Sequence, residues 1–167
     1  MTEATEESLA VLLLPSKLED FALEAHARQL LSIPRVIALE PSRYHTPRFM
    51  RNALSMRQAR RLPFPGRPKM AVLYHPAQYP LARALLAHDN ELELWYIPPA
   101  GHAAAAIGGD DARELLEFDE LARIKATQTL QVTENGEVAD GPLRERMREL
   151  GVINPRAFIP VARSRRR

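Results

Sequence analysis

The sequence predicts one α/β domain built around an open, mostly parallel sheet with helices on both faces, followed by a small C-terminal α+β extension. Short continuous apolar runs recur along the first hundred residues, as in strands that are covered on both faces. Segments with helical spacing lie between several of these runs. The chain has 167 residues, of which 46% are hydrophobic and 26% are charged, which suits a single folded domain.

The chain opens with a predicted strand and helix. The apolar run Leu9–Leu14 predicts a buried strand. Ser16 and Glu19 have the spacing of a capping box, in which each side chain bonds the other residue's backbone amide. Apolar residues then recur at helical intervals until Pro34, where we expect the helix to stop.

Three further strands and two further helices are predicted before residue 100. Apolar runs at Val36–Leu39, Met70–Tyr74 and Leu92–Ile97 predict strands, and helices are expected over Phe49–Arg61 and Pro80–His88. The alternation of strands and helices is typical of a doubly wound sheet with right-handed crossovers. Residues 1–99 are therefore predicted to form the core.

The last 68 residues are predicted to form the extension, packed on the same domain. Helices are expected over 111–126 and 142–150, with Gly151 as a C-terminal stop. Asn135-Gly136 lies between the β-prone segments Thr129–Thr133 and Glu137-Val138, which predicts a hairpin. We expect a last short strand over 157–161 and a frayed basic tail over 163–167.

Positive charge is concentrated in one segment of the chain. Residues 41–69 contain seven arginines, Lys69 and no acid, whereas the rest of the chain, with 15 basic and 21 acidic residues, has a net charge of −6. This segregation predicts an anionic partner, such as nucleic acid, an acidic protein or a phospholipid headgroup. The candidate anion-binding residues are Arg48, Arg51, Arg57, Arg60 and Arg61. The alternative is a solvated connection with no partner.

Several classes of protein are excluded by missing features. The chain has no cysteine, so it has neither a disulfide framework nor a thiolate nucleophile. It lacks the glycine-rich turns that hold dinucleotides or nucleoside triphosphates and the nucleophile elbow of α/β-hydrolases. No spacing of His, Asp or Glu predicts a metal site. We therefore expect no cofactor, no transmembrane segment and a cytoplasmic location.

Ligand-binding residues are expected in the loops that follow the strands, because open parallel sheets bind ligands beyond the carboxyl ends of their strands. The candidates are Ser16 and Lys17 after the first strand, Glu40, Ser42 and Arg43 after the second, His75, Gln78 and Tyr79 after the third, and His102 after the fourth. His75 is the candidate catalytic residue, since an imidazole can act as a general base or donate to a ligand. The alternative is that His75 caps the following turn. His26, within the first helix, is expected to be a packed or surface histidine.

Two stretches resemble the N-terminal half of bacterial two-domain (GT-B) glycosyltransferases. The first joins Glu24–Leu31 to Arg35–Arg43 and is similar to a helix with a His-x-x-Arg/Ala-x-Leu pattern, followed by a strand that ends in Glu-Pro. The second joins Val72–Arg83 to Glu93–Tyr96 and is similar to the strand, turn, helix and strand that follow. Both stretches lie within residues 24–96.

The resemblance implies a Rossmann-like, acceptor-side domain that takes a sugar or nucleotide-sugar ligand. Glu40, Ser42, Arg43, His75 and Gln78 would line its cleft. Such enzymes hold the nucleotide sugar with a second Rossmann-like domain, and the 70 residues after Ile97 are too few to build one. The resemblance would therefore imply a degenerate relative, a protein that works with a partner chain, or a non-catalytic binding domain.

Two functions of other classes stay open beside this one. The first is non-enzymatic binding of an anion by the basic segment 41–69. The second is assembly into a larger complex, in which Trp95, Tyr96 and Ile97 lie at a sheet edge and pair with another chain.

Overall fold

A computed structural model describes residues 9–14, 21–39, 48–61, 67–99 and 110–153. In chain order the described elements are β1 (Leu9–Leu13), α1 (Phe21–Leu31), β2 (Val36–Leu39), α2 (Arg48–Arg60), β3 (Pro68–Leu73), a 3-10 turn (Pro76–Gln78), α3 (Tyr79–His88), β4 (Glu93–Tyr96), α4 (Asp110–Lys125), β5 (Gln128–Thr129) and α5 (Gly141–Glu149). The predicted α/β class is confirmed. Apart from α1, whose predicted start lies outside the described residues, the strands and α-helices observed before residue 100 lie within one or two residues of the predicted ones.

The strands form one parallel sheet with the order β2-β1-β3-β4-β5. Leu13 is in register with Leu39 on one side and with Leu73 on the other, so the carboxyl ends of β2, β1 and β3 are level. The chain leaves β1 toward β2 and leaves β3 in the opposite direction toward β4. This reversal makes the sheet doubly wound and Rossmann-like, as predicted, and puts the topological switch point between β1 and β3.

Helices cover both faces of the sheet because alternate strand residues point to opposite sides. On the first face, Leu12, Val72 and Trp95 pack with apolar residues of α1 and α5. On the second face, Leu13 and Leu73 pack with apolar residues of α2, α3 and α4. Each strand side chain of this size contributes roughly 1.5–3 kcal/mol when it is fully buried. Burial on both faces explains why these strands are continuous apolar runs.

The C-terminal hairpin is also confirmed. Val132 pairs with Val138 in an antiparallel bridge, and the Gly136 amide bonds the Thr133 carbonyl. Gly136 has φ 79°, a left-handed conformation that glycine adopts without steric cost. The structure differs from prediction at Gln128–Thr129, which pairs with β4 in parallel and does not extend the hairpin arm. The predicted capping box at Ser16 and Glu19 and the strand over 157–161 lie outside the described residues.

The prediction that Trp95, Tyr96 and Ile97 lie at a sheet edge is wrong. β4 lies between β3 and β5, and its backbone is hydrogen-bonded on both sides. All three side chains are buried. The short β5 was hidden from sequence analysis because two residues are too few to form a recognisable apolar run.

Candidate functional site

The carboxyl ends of the strands form one continuous edge at the switch point. Past the last paired residues, the Leu14 amide still donates to the Leu39 carbonyl, and the Tyr74 amide donates to the Leu13 carbonyl. The chain therefore leaves β1 and β3 at the same level of the sheet. We call the space beyond these two ends the switch crevice, where ligands of open parallel sheets bind.

His75 follows β3 at this edge and caps the 3-10 turn. Its backbone is extended, with φ −150° and ψ 136°, and its Nδ1 accepts from the Ala77 amide at 3.2 Å. The alternative expectation that His75 caps the following turn is thus confirmed. Because Nδ1 is an acceptor, the proton of the neutral ring is on Nε2. This tautomer suits donation to a ligand oxygen better than proton abstraction.

Gln78 connects the two strand ends at the switch point. Its side chain is 3% exposed, and its Nε2 donates to the Leu14 carbonyl at 2.5 Å. The bond ties the turn after β3 to the residue that follows β1. Gln78 was predicted to bind ligand, and the structure directs one of its amide donors to the backbone at the base of the switch crevice.

Tyr79 directly follows Gln78 in the sequence, but its side chain lies in the core. It is buried on the second face, with its ring centroid 6.1 Å from that of Phe118 in α4. Tyr79 was predicted to bind ligand because it follows a strand. The start of α3 directs its side chain into the core.

The remaining predicted site residues divide into three groups. Ser16, Lys17, Glu40, Ser42, Arg43 and His102 lie outside the described residues. Arg48 and Arg51 belong to α2, and their side chains lie outside the described part. Arg57, Arg60 and Arg61 are exposed at the end of α2. Since the chain runs from there to the start of β3, these arginines lie toward the amino ends of the strands, away from His75.

A set of hydrogen-bonded polar side chains, which we call the polar network, is buried on the first face and was not predicted. The Tyr74 hydroxyl and Nδ1 of His26 are 2.5 Å apart, and Nε2 of His26 and Oδ2 of Asp140 are 2.9 Å apart. Arg144 Nε donates to the same carboxylate oxygen at 2.5 Å. Since the carboxylate can only accept, Nε2 of His26 donates to it, and in the neutral form of the ring Nδ1 accepts from the Tyr74 hydroxyl. Each group therefore has the partner that its burial requires.

The surroundings of Tyr74 and Asp140 in the polar network keep each of these two side chains in one protonation state. Burial, and the charge of Asp140 after it, raise the pKa of Tyr74, so the phenol stays protonated. Burial raises the pKa of Asp140, but hydrogen bonds from His26 and Arg144 outweigh it and bring the pKa down to about 2. Tyr74 is fully buried. The polar network therefore joins α1, β3 and the start of α5, and it does not contact ligand through Tyr74.

The sequence indicates the position of one member of the polar network, His26. Leu23, His26, Ala27 and Leu30 have helical spacing, which puts His26 on the buried face of α1 and agrees with the expectation of a packed histidine. Asp140 had no such signal, since it is 114 residues from His26. An aspartate that precedes a helix usually caps it, whereas the Asp140 side chain makes no capping hydrogen bond.

Two other polar groups lie at half-buried positions beside β4. Arg146 of α5 holds both carboxylate oxygens of Glu93, which lowers the pKa of Glu93. The Tyr96 hydroxyl donates to Asp119, which also accepts from Arg123. These pairs attach α5 and α4 to the sheet.

Within the described ranges, no cluster of three or more His, Asp or Glu residues could hold a metal ion. The helices of that part of the chain include none with the length and apolarity that a bilayer crossing requires.

Comparisons with known proteins return one structural similarity. No protein family and no curated protein matches the chain. Among solved structures, the chain is similar to the crystal structure of LpCGTa in complex with UDP, with 14% identity and a TM-score of 0.39. The match covers 76% of this chain and 47% of that chain, so this chain spans about half the length of LpCGTa as solved.

Proposed function

We propose that this chain is a glycosyltransferase-like binding domain that takes a sugar or nucleotide-sugar ligand in the switch crevice. The observation that carries the proposal is the doubly wound strand order, with β1 and β3 adjacent and level at their carboxyl ends. In such sheets the crevice at the reversal is where ligands bind.

The residue chemistry beside the crevice supports a ligand with oxygen acceptors. His75 follows β3 and accepts from the Ala77 amide at Nδ1, and an imidazole at this position is suited to bind a phosphate or hydroxyl oxygen. The segments that resemble the N-terminal half of GT-B enzymes include β2, the last two residues of β3, and β4, whose carboxyl ends belong to this same edge. The proposed role of His75 is ligand binding, with Glu40, Ser42 and Arg43 as further contacts.

The first test is to locate binding on the protein. The ¹⁵N-labelled chain is titrated with UDP-glucose, UDP-N-acetylglucosamine, GDP-mannose and the matching free sugars, and amide shifts are followed by NMR. We expect saturable shifts at Leu14, His75, Ala77 and Gln78, which surround the switch crevice. Absence of shifts with every ligand of the panel would refute the proposal.

The second test removes the imidazole Nε2–H of His75 and keeps the acceptor that caps the turn. His75→Asn retains a side-chain acceptor for the Ala77 amide, since asparagine bonds the backbone two residues on. Loss of a hydrogen bond to a charged phosphate should weaken binding about 10- to 100-fold by calorimetry. His88→Asn, at the exposed end of α3, is the matched control and should bind normally. Equal affinities of the two variants would contradict the role of His75.

A further inference from the structure

We propose that the outer side of α2 binds the phosphate backbone of a nucleic acid. The surface consists of the exposed residues Arg57, Arg60, Arg61, Arg67 and Lys69, which we call the basic face. It belongs to the end of α2 and the start of β3, and so it is separate from the switch crevice.

The first three of these residues lie close together because of their spacing on the helix. Met50, Ala53, Arg57 and Arg60 follow one another at intervals of three and four residues and are all exposed, so they lie along one side of α2. Ala59 is buried and packs on the second face of the sheet. Arg57 and Arg61 are separated by about 6 Å along the helix axis.

The basic face differs in its pairing from five other arginines of the described ranges. Arg28, Arg123, Arg144, Arg146 and Arg148 each hold a carboxylate of the chain. No residue of the basic face forms an ion pair with a carboxylate of the described ranges. The segment 41–69 also contains no acid in its sequence. Arg57, Arg60 and Arg61 place three positive charges within about one helical turn, where they repel one another, and a polyanion relieves that repulsion.

Charge spacing favours a nucleic acid as the polyanion. Each strand of a duplex carries one negative charge about every 3.4 Å, so neighbouring phosphates match cations within one helical turn. The described part of the basic face has no exposed aromatic side chain on which bases could stack. Recognition would therefore use phosphates and carry little sequence preference.

A membrane surface fits this face less well. Helices that bind in the membrane interface bury an apolar side in the lipid. The buried Ala59 and the half-buried Met56 of α2 pack against the sheet, and among the α2 side chains that the structure describes Met50 is the large apolar one that is exposed, at 44%. Purely electrostatic adsorption to anionic vesicles is the competing outcome of the test.

The experiment measures fluorescence anisotropy of a labelled 20-base-pair duplex and the corresponding single strand between 50 and 200 mM salt. We expect binding without sequence preference that weakens steeply with salt. In Arg57→Ala/Arg60→Ala/Arg61→Ala the affinity at 50 mM should fall at least about tenfold, and the slope of log K against log salt on the duplex by about 2.7.

Two controls make the outcome specific. Arg28→Ala/Arg113→Ala/Arg148→Ala removes the same charge from exposed positions on other helices and should keep the wild-type slope. Arg57→Lys/Arg60→Lys/Arg61→Lys keeps the charge and should keep most of the affinity. The inference is overturned if the two alanine variants lose affinity equally, or if phosphatidylserine vesicles are bound while both nucleic acids are not. Neither result bears on the His75 tests.

Discussion

Asp140 is a half-buried carboxylate whose ionised form stabilises the fold. Its pKa in the folded chain is about 2, below the ordinary value of 3.8, because His26 and Arg144 hydrogen-bond to the charged form. A folded pKa below the unfolded one means that the contribution is fully present above about pH 5 and is lost as the pH falls toward 2. The difference corresponds to about 2 kcal/mol.

Asp140→Asn should therefore lower stability at pH 7 and flatten its dependence on acid. We expect a loss of about 1–2 kcal/mol at pH 7 in urea unfolding, and a smaller further loss between pH 5 and 2 than in the wild type. Glu137→Gln, at an exposed position, is the control and should keep the wild-type pH dependence. Parallel pH curves for Asp140→Asn and the wild type would contradict this role.

Gln78 illustrates a residue whose predicted and observed partners differ. The side chain donates to the Leu14 carbonyl, and Leu14 is 4% exposed, so this acceptor has little access to water. Gln78→Met keeps the length of the side chain and removes the donor. We expect a loss of about 1–3 kcal/mol in urea unfolding, the cost of a buried acceptor without its bond. Gln131→Met, an exposed glutamine, should change stability by less than about 0.5 kcal/mol.

The sequence predicted where the chain leaves the strands better than it predicted the directions of the side chains there. Position after a strand selected His75, Gln78 and Tyr79 together. In the structure the His75 side chain accepts from the backbone two residues on, the Gln78 side chain donates to the residue after β1, and Tyr79 packs in the core. Local spacing cannot distinguish these directions, because Leu14 and Phe118 are distant in sequence.

Elements were predicted well wherever one local rule decides them. β1, β3 and β4 lie inside the sheet and are largely buried on both faces, so each contains an apolar run. The edge strand β2 is also apolar, although Ala38 is exposed. Asn135-Gly136 specifies its turn directly. β5 was missed because two residues join the sheet through pairing with β4, which is a tertiary effect.

The end of α5 provides a test of local backbone conformation. Gly151 follows the helix with φ 76°, and its amide bonds the Arg148 carbonyl, as in a helix stop that needs a left-handed residue. Gly151→Ala should cost about 1 kcal/mol in thermal or urea unfolding. Gly141→Ala, in the first turn of the same helix, is the matched control. A Cβ there meets nothing within 4 Å, so we expect no loss or a slight gain. Equal effects of the two substitutions would contradict the conformational explanation.

At the scale of the whole molecule, the proposed domain organisation joins residues 1–99 and the extension 100–167 into one folding unit. Leu143 and Met147 of α5 are fully buried in the same apolar cluster as Trp95 and Ile97 of the core. The ion pair between Arg146 and Glu93 crosses the same boundary. Contacts of this kind couple the stability of α5 to that of the sheet.

Trp95 makes this coupling measurable, because it is the single tryptophan of the chain and is buried beneath α5. If the extension and core unfold together, tryptophan fluorescence and far-UV circular dichroism should give one coincident urea transition. Met147→Ala should move both probes to lower urea by the same amount, corresponding to about 2–5 kcal/mol. Arg148→Ala, exposed on the same helix, should leave both nearly unchanged. Two separate transitions, or a Met147→Ala shift seen by one probe alone, would show that α5 folds independently of the sheet that it covers.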